Sequence, residues 1–368
     1  MSVRMETTVL TRDDIAKLVG QVGLNQLMDN VIGTLKQTFE TFDEAATIVR
    51  QRDGFAYHKP FPGVLEWMPV MQIGEAAIIK MVGYNPNNPT LYNVPTIIST
   101  ISLYDISTGQ LKALVDGTLA TALRTGAASA IASQILARRA SRVVGLVGCG
   151  AQAVTQLHAL SRIFDIGQVL VYDVVESHAR TFLDRSRFMG LDVQIVPREI
   201  LERESDIICT ATSVPIGAAP IISDEHLKPW VHINAVGSDL PKKIELPLGL
   251  LKRSLVSPDY LPQALIEGEC QQLSLEEIGP SLIELIRNEQ SYSSFRDSQT
   301  VFDSTGFALE DKAVLQVLLS LAEQYGIGRT LPIESIAGDP MNPYNFFPEN
   351  VTKAASLNSP VSVLQPVF

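Results

Sequence analysis

"VVGLVGCGAQA", residues 143–153, decides the reading of the fold. A run of Val and Leu enters Gly148-Cys149-Gly150-Ala151-Gln152-Ala153 and then the helix-forming stretch "VTQLHALSRIF". Gly148 permits a tight turn, Gly150 lets a phosphate approach the backbone, and Ala153 still allows close packing of helix on strand. The helix N-terminus offers free N–H groups and the positive end of the helix dipole. The next strand, "QVLVYD", ends in Asp173, 173 − 148 = 25 residues past the first glycine. A carboxylate there accepts hydrogen bonds from a ribose diol and repels a 2′-phosphate, which predicts NAD over NADP.

Outward from the turn the same rhythm continues. "ESHARTFLDRSRF" is a helix, and "VQIV", "SDIICTAT" and "WVHINAVG" are three more strands. Near-continuous Val/Ile/Leu strands alternating with helices predict a parallel sheet covered on both faces. Toward the N-terminus, from about 64 to 116, the runs "VLEWMPV", "AAIIKMVGY", "TIISTISLYD" and "LKALVD" are separated by "NPNNP" and "STGQ". Such turn-punctuated runs predict an antiparallel, hairpin-rich sheet. Thr11 before Asp13 and Asp14 marks a helix start, followed by a second helix in "LNQLMDNVIGTLKQTFETF". "GTLATALRTGAASAIASQILA" predicts a long helix whose small residues let another backbone come close. After 250, "SLEEIGPSLIELIRN" reads as helical, and "FDSTGFALEDKAVLQVLLSLAEQYG" as a turn and an amphipathic helix. The Pro- and Asn-rich tail from about 338 is expected to run extended along the surface or against a partner subunit. No internal repeat is present.

The totals narrow the function classes. The 368 residues suffice for two domains, with 46% hydrophobic and 19% charged residues. A formal net charge of −11 argues against a broad nucleic-acid surface and a basic membrane patch. Cys149, Cys209 and Cys270 show no CxxC spacing, which suits a reducing cytoplasm. The five histidines, His58, His158, His178, His226 and His232, lack metal-ligand spacing, so no metal is predicted. "MSVRMETTVLTRDD" has no apolar signal core, and no run approaches the ~18 apolar residues of a membrane span, so neither is expected.

Three charged residues sit where charge is unexpected. In "HINAVGSDLPKKIEL", residues 232–246, an apolar strand breaks at Gly237 and Asp239 follows. A carboxylate at the carboxyl end of a parallel strand faces the ligand crevice. Arg124 interrupts the small-residue helix, and Lys80 closes the apolar run "AAIIK". An α-carboxylate is well held by an arginine fork with a second cation. Each has a plainer reading: a turn aspartate, an exposed helix arginine, and a strand-end lysine reaching for water.

"LRTGAASAIAS", "GCGAQA", "HINAVGSD" and "FDSTGFALED", in this order, resemble the ornithine cyclodeaminase/mu-crystallin family, over residues 55–325. "GVLEWMP", "KMVGYNPNNP", "VGSDLPKKIEL" and "IEGECQQL" look closest to the ornithine cyclodeaminases within it. The resemblance implies an α/β protein: a Rossmann-type doubly wound parallel sheet over 136–309, which binds NAD. It adds an α+β substrate-binding and dimerisation domain over 1–135, joined by 310–368, and a homodimer. It implies conversion of L-ornithine to L-proline and ammonia, hence proline biosynthesis, by hydride removal, ring closure and hydride return.

Residue by residue, the resemblance makes Lys80 and Arg124 a clamp for the substrate carboxylate. Thr96, Arg124 and Thr125 lie beside the nicotinamide, Ala151 and Gln152 at the pyrophosphate turn with Gly148 and Gly150, and Asp173 at the ribose. Thr212, Val236, Lys243 and Ser304 match further cofactor positions, and Asp239 matches the catalytic acid. Gly237, where the backbone is expected to pass close to the cofactor, and Ser238 accompany Asp239, and Thr305 joins the substrate side. Arg52 is the nearest counterpart of an earlier carboxylate-binding arginine, with its spacing shifted. Glu66, Glu267 and Glu269 could meet a distal amine or make structural ion pairs, and Cys149 is assigned no reactivity. The family also holds alanine dehydrogenases, lysine cyclodeaminase, cyclic-imine reductases and mu-crystallin. A net NAD-dependent amino-acid dehydrogenase or imine reductase is therefore the second reading, and a ligand-binding protein the third. Asp239 counts against the third, since mu-crystallin has no acid there.

Overall fold

The structure is a computed structural model describing residues 5–346. Residues 338–346 are exposed, and the rest of the Pro- and Asn-rich tail lies outside the described residues.

Two sheets organise the chain. The N-terminal part contributes β1 (Thr7–Leu10), β2 (Thr47–Val49), β3 (Asp53–Tyr57), β4 (Gly63–Gln72), β5 (Ala76–Tyr84), β6 (Ile97–Asp105) and β7 (Leu111–Asp116). Next come β8 (Val143–Val147), β9 (Gln168–Tyr172), β10 (Val193–Ile195), β11 (Ile207–Thr210), β12 (His232–Ala235), β13 (Leu255–Pro258) and β14 (Thr300–Asp303). A last strand, β15 (Arg329–Leu331), pairs with β1. The first sheet has the order β15-β1-β7-β6-β5-β4-β2, with β3 on β4, and β4 to β7 pair antiparallel. The hairpin-rich reading of 64–116 is what folds here.

The second sheet runs β10-β9-β8-β11-β12-β14-β13, and every pair is parallel. Strand order reverses between β8 and β11, and ligands bind at the carboxyl ends beside such a switch point. Two of its strands, β13 and β14, are absent from the sequence reading. Each has only four residues, and buried polar residues (Ser257, Thr300, Asp303) break their apolar pattern.

Six helices matter for the site: α1 (Arg12–Val22), α2 (Leu24–Glu40), α3 (Thr118–Leu136), α4 (Ala151–Ile163), α5 (Glu176–Ser186) and α6 (Ala308–Tyr325). Thr11 starts α1 as its spacing predicts: its hydroxyl accepts the Asp14 N–H, and Asp14 accepts the Thr11 N–H at 3.1 Å. Losing such a cap costs about 1 kcal/mol. In α2, Leu27, Met28, Val31, Ile32, Leu35 and Phe39 form one buried stripe. Each such side chain contributes about 1.5–3 kcal/mol by leaving water.

α3 is the hinge of the architecture, packing on α2, α4 and α6 and touching β12 and β14. Its small residues earn their place at Gly126, where a Cβ would lie 2.4 Å from the Thr155 carbonyl of α4. Below it, Asn234 Nδ2 donates to Ser133 Oγ at 2.9 Å, and His232 Nδ1 lies 2.8 Å from Thr300 Oγ1. This buried network fixes α3, and with it Arg124 and Thr125, over the sheet. Among the described residues, no helix is long and apolar enough to cross a membrane.

Candidate active site

The nucleotide side is built from backbone. Gly148 has φ +90°, and a Cβ there would lie 2.6 Å from the Ala211 carbonyl, so glycine is required. A Cβ on Gly150 would meet open space, and α4 begins beyond it with no side-chain cap on its N–H groups. A free, uncapped helix start over a bare glycine fits a pyrophosphate. Asp173 lies directly beneath: its carboxylate accepts the Cys149 and Val175 N–H groups, each at 2.8 Å. Gln152 ties the turn to α3 through the Ala122 carbonyl at 3.4 Å, and Thr125 Oγ1 donates to Thr121 O at 3.0 Å. Burial pushes the Cys149 thiol up to about 12, so it stays protonated and inert.

The substrate side is built from charged side chains. In the β4–β5 register Met68 faces Lys80 and Glu66 faces Val82, which puts Glu66, Lys80 and Tyr84 on one face. Lys80 Nζ lies 2.9 and 2.8 Å from the two carboxylate oxygens of Asp311. Arg124 Nη1 donates to Glu310 at 2.6 Å, and its Nε lies 3.5 Å from Asp311. Arg52, despite its shifted spacing, reaches the same place. It donates to the carbonyls of Thr305 and Gly306, and its Nη1 lies 3.2 Å from Glu267 and 3.7 Å from Glu66. A Cβ on Gly306 would come within 2.9 Å of Arg124 and 3.2 Å of Arg52, so the two guanidiniums converge over a bare Cα.

Burial, then the Arg124 charge, brings Lys80 down to about 8. Burial raises Glu310 and Glu267 to about 8, and Glu66 also rises. Asp239 follows β12 at the sheet's carboxyl edge, and its Oδ1 accepts from Lys243 Nζ at 2.7 Å. Its charge acts on both Glu66 and Glu267. Charges of both signs therefore converge here: Arg52 sits between Glu267 and Glu66, Lys80 and Arg124 are paired with Asp311 and Glu310, and Asp239 is paired with Lys243. A molecule bearing both a carboxylate and an ammonium would meet groups of opposite charge to each there.

Other predicted residues take different partners. Thr305 Oγ1 and Ser304 Oγ turn to Asp259, at 2.9 and 3.4 Å. Thr212 gives its hydroxyl and N–H to Glu245, at 2.6 and 2.8 Å. A Cβ on Gly237 would lie 2.2 Å from that same Glu245 carboxylate. Glycine there lets the backbone lie against that carboxylate, to which the Gly237 N–H donates at 2.9 Å. Val236 donates to Thr210 O at 2.9 Å, Thr96 O accepts the Asn85 N–H at 2.9 Å, and Ser238 Oγ donates to Lys243 O. Glu269 is structural, accepting the N–H groups of Glu245 and Leu246 at 2.7 and 3.2 Å.

Five acids that organise the site were given no role from the sequence: Glu245, Asp259, Asp303, Glu310 and Asp311. Asp259 also accepts the Gly306 N–H at 2.6 Å, which shapes the loop that holds Arg52. Asp303 accepts the N–H groups of Glu269 and Cys270, each at 2.8 Å. The available signal was the one that exposed Asp239: an acid directly after an apolar strand, as in "LVSPD" and "TVFD".

The parallel sheet with its glycine turn defines a Rossmann-type α/β protein that also carries a buried cluster of charged side chains. The chain belongs to the ornithine cyclodeaminase/mu-crystallin family, which matches residues 12–324. It is 38% identical to the L-lysine cyclodeaminase of Streptomyces rapamycinicus over 93% of this chain and 100% of that one. Against the ornithine cyclodeaminase of Agrobacterium fabrum it is 32% identical over 91% of this chain and 92% of that one. A solved lysine cyclodeaminase, described for its recognition of L-lysine, L-ornithine and L-2,4-diaminobutyric acid, superposes with a TM-score of 0.91 at 44% identity. That match covers 93% of this chain and all of the other. An archaeal alanine dehydrogenase dimer with bound NAD superposes with a TM-score of 0.80 at 32% identity, covering 90% and 100%.

Proposed function

We propose that this protein is an NAD-dependent cyclodeaminase of an L-α,ω-diamino acid. It would convert L-ornithine to L-proline, or L-lysine to its six-membered homologue, with loss of ammonia. The observation that carries the reading is the placement of a carboxylate, Asp239, at the sheet's carboxyl edge near the buried cations Arg52, Lys80 and Arg124, in a chain 38% identical to an L-lysine cyclodeaminase. Bound NAD would supply the hydride chemistry at the substrate's α-carbon, with no net change in its redox state. Gly148, Gly150 and the first N–H groups of α4 hold its pyrophosphate, and Asp173 its ribose. Arg52, Lys80 and Arg124 hold the α-carboxylate and turn the α-carbon toward the cleft.

Asp239 takes a proton from the attacking ω-amine and gives one to the departing α-amine, a role worth about 10²–10⁴-fold. Ring closure is intramolecular, so a fixed carboxylate and a fixed distal amine favour it strongly. Ornithine alone is narrower than the support. The lysine cyclodeaminase relative is the more similar of the two cyclodeaminases compared, and one methylene is worth only about 1–3 kcal/mol of discrimination. The division 1–135 with 310–368 against 136–309, a homodimer and a cytoplasmic setting complete the proposal. The three free, buried cysteines suit a reducing compartment.

The test is product analysis by mass spectrometry with L-ornithine, L-lysine and L-alanine and substoichiometric NAD. Cyclic imino acid and ammonia without accumulating NADH are expected. Stoichiometric NADH from alanine, with no cyclic product from either diamino acid, would overturn the reading.

A further inference from the structure

We infer that Tyr84 is a positioning residue for Asp239, reaching across the cleft from the first sheet and acting through Lys243. This rests on the reading of Asp239 as the proton-transfer group. Tyr84 ends β5 on the same face as Lys80, about 13 Å further along the strand. Its ring faces Lys243 Nζ, 5.8 Å from the ring centroid. Lys243 is 2% exposed, and Asp239 is its carboxylate partner, at 2.7 Å.

The main chain of Lys243 is already fixed. Its carbonyl accepts from Ser238 Oγ and from Gln271 Nε2, the latter at 3.0 Å. Only the ammonium needs placing, and it lies between an aromatic face and a carboxylate. An aromatic face attracts a desolvated cation far more than a wet one. Without the ring, water reaches the ammonium and Asp239 loses its fixed partner. The antiparallel sheet would thus contribute to proton transfer as well as to carboxylate binding, and Asp239 would be correctly held only where the two sheets meet.

The experiment measures kcat, KM and NAD affinity for wild type, Tyr84→Phe and Tyr84→Leu, each with and without Lys243→Met. Tyr84→Gln replaces the leucine variant if that one does not fold. Tyr84→Leu should lower kcat roughly tenfold while KM and NAD affinity move less than about twofold. Tyr84→Phe, which keeps the ring, should recover kcat to within about threefold of wild type. In the Lys243→Met background, losing the ring should add nothing. Losses that multiply in the double variant, equal losses for Phe and Leu, or a change confined to KM would each overturn the inference. If wild type oxidises an amino acid without cyclising it, the cyclodeaminase reading fails, and the same variants read on NADH formation still decide the role of Tyr84.

Discussion

The two sides of the cleft solve their binding problems with different materials. The nucleotide side is contiguous and uses main chain: a glycine at φ +90°, an open Gly150 and an uncapped helix start lie within three residues of one another. The substrate side is dispersed and uses charge: Glu66 and Lys80 lie on two strands of the first sheet, Arg124 on one long helix, and Arg52, Asp239 and Glu267 on three separate loops. A phosphate is recognised by N–H groups that every residue carries, so the motif can be short. A zwitterion with a second ammonium needs charges of both signs in a dry site, and each buried charge then needs a partner of its own. Substitutions on one side should therefore leave the other side's readout intact, and the largest effects should fall on the substrate side.

Asp239→Asn gives the largest expected effect. The amide keeps the shape but cannot exchange protons, so kcat for cyclic product should fall about 10²–10⁴-fold. NAD affinity, followed by fluorescence titration, should stay near wild type because the turn at Gly148–Gly150 is untouched. Turnover within tenfold of wild type would remove Asp239 from the mechanism. A large loss of NAD affinity would break the separation between the two sides.

Asp311→Ala comes next. It strands Lys80, 1% exposed, beside Arg124 with no carboxylate at 2.8 Å. Removing one partner of a buried ion pair costs about 3–5 kcal/mol, to be read from urea unfolding. A loss under about 1 kcal/mol would mean that water reaches the cation and the pocket is not sealed.

The two sides share β12 as a floor, and pH tests that floor. His232 is fully buried, and burial lowers it from 6.5 to about 4. Its folded value lies below its unfolded one, so between these pH values the unfolded chain takes up a proton that the folded chain refuses. Stability is therefore fully present above pH 6.5 and declines as pH falls toward 4, by up to about 3 kcal/mol from this residue. Glu267 and Glu310, raised to about 8, act in the opposite sense over this range, so the His232 contribution is read as the difference in unfolding free energy between wild type and His232→Gln, which should shrink as pH falls from 6.5 toward 4.

The contrast in materials also explains what the sequence made legible. The strand-turn-helix around Gly148 and the acid at Asp173 are local, so spacing alone revealed them. Lys80, Arg124 and Asp239 were visible because each is a charge at the end of, or inside, an apolar element. Glu310 and Asp311 were hidden because two acids in a helix's first turn look like ordinary dipole complements. They are instead buried partners of Arg124 and Lys80. Glu245 was hidden because its partners, Thr210, Thr212 and Gly237, lie on two strand ends that only the fold brings together. Strands β13 and β14 escaped because their carboxyl ends are polar and tied to loops, which hides the periodicity of a strand.

The smallest expected effect is the sharpest test of a turn made from main chain. Cys149 stands in the centre of the nucleotide motif, fully buried, with its thiol raised to about 12. What it gives the turn is chiefly backbone: its N–H donates to Asp173 at 2.8 Å and its carbonyl accepts from Arg185 at 2.7 Å, beside a weak thiol contact to the Tyr172 carbonyl at 3.7 Å. Cys149→Ala keeps both bonds and removes only a sulfur from a packed site. Stability should fall by on the order of 1 kcal/mol through the small void. NAD affinity should stay within about twofold, under 0.5 kcal/mol of binding free energy. A tenfold loss of NAD affinity with stability preserved would show that the side chain itself takes part. The nucleotide side would then depend on a particular side chain, as the substrate side does.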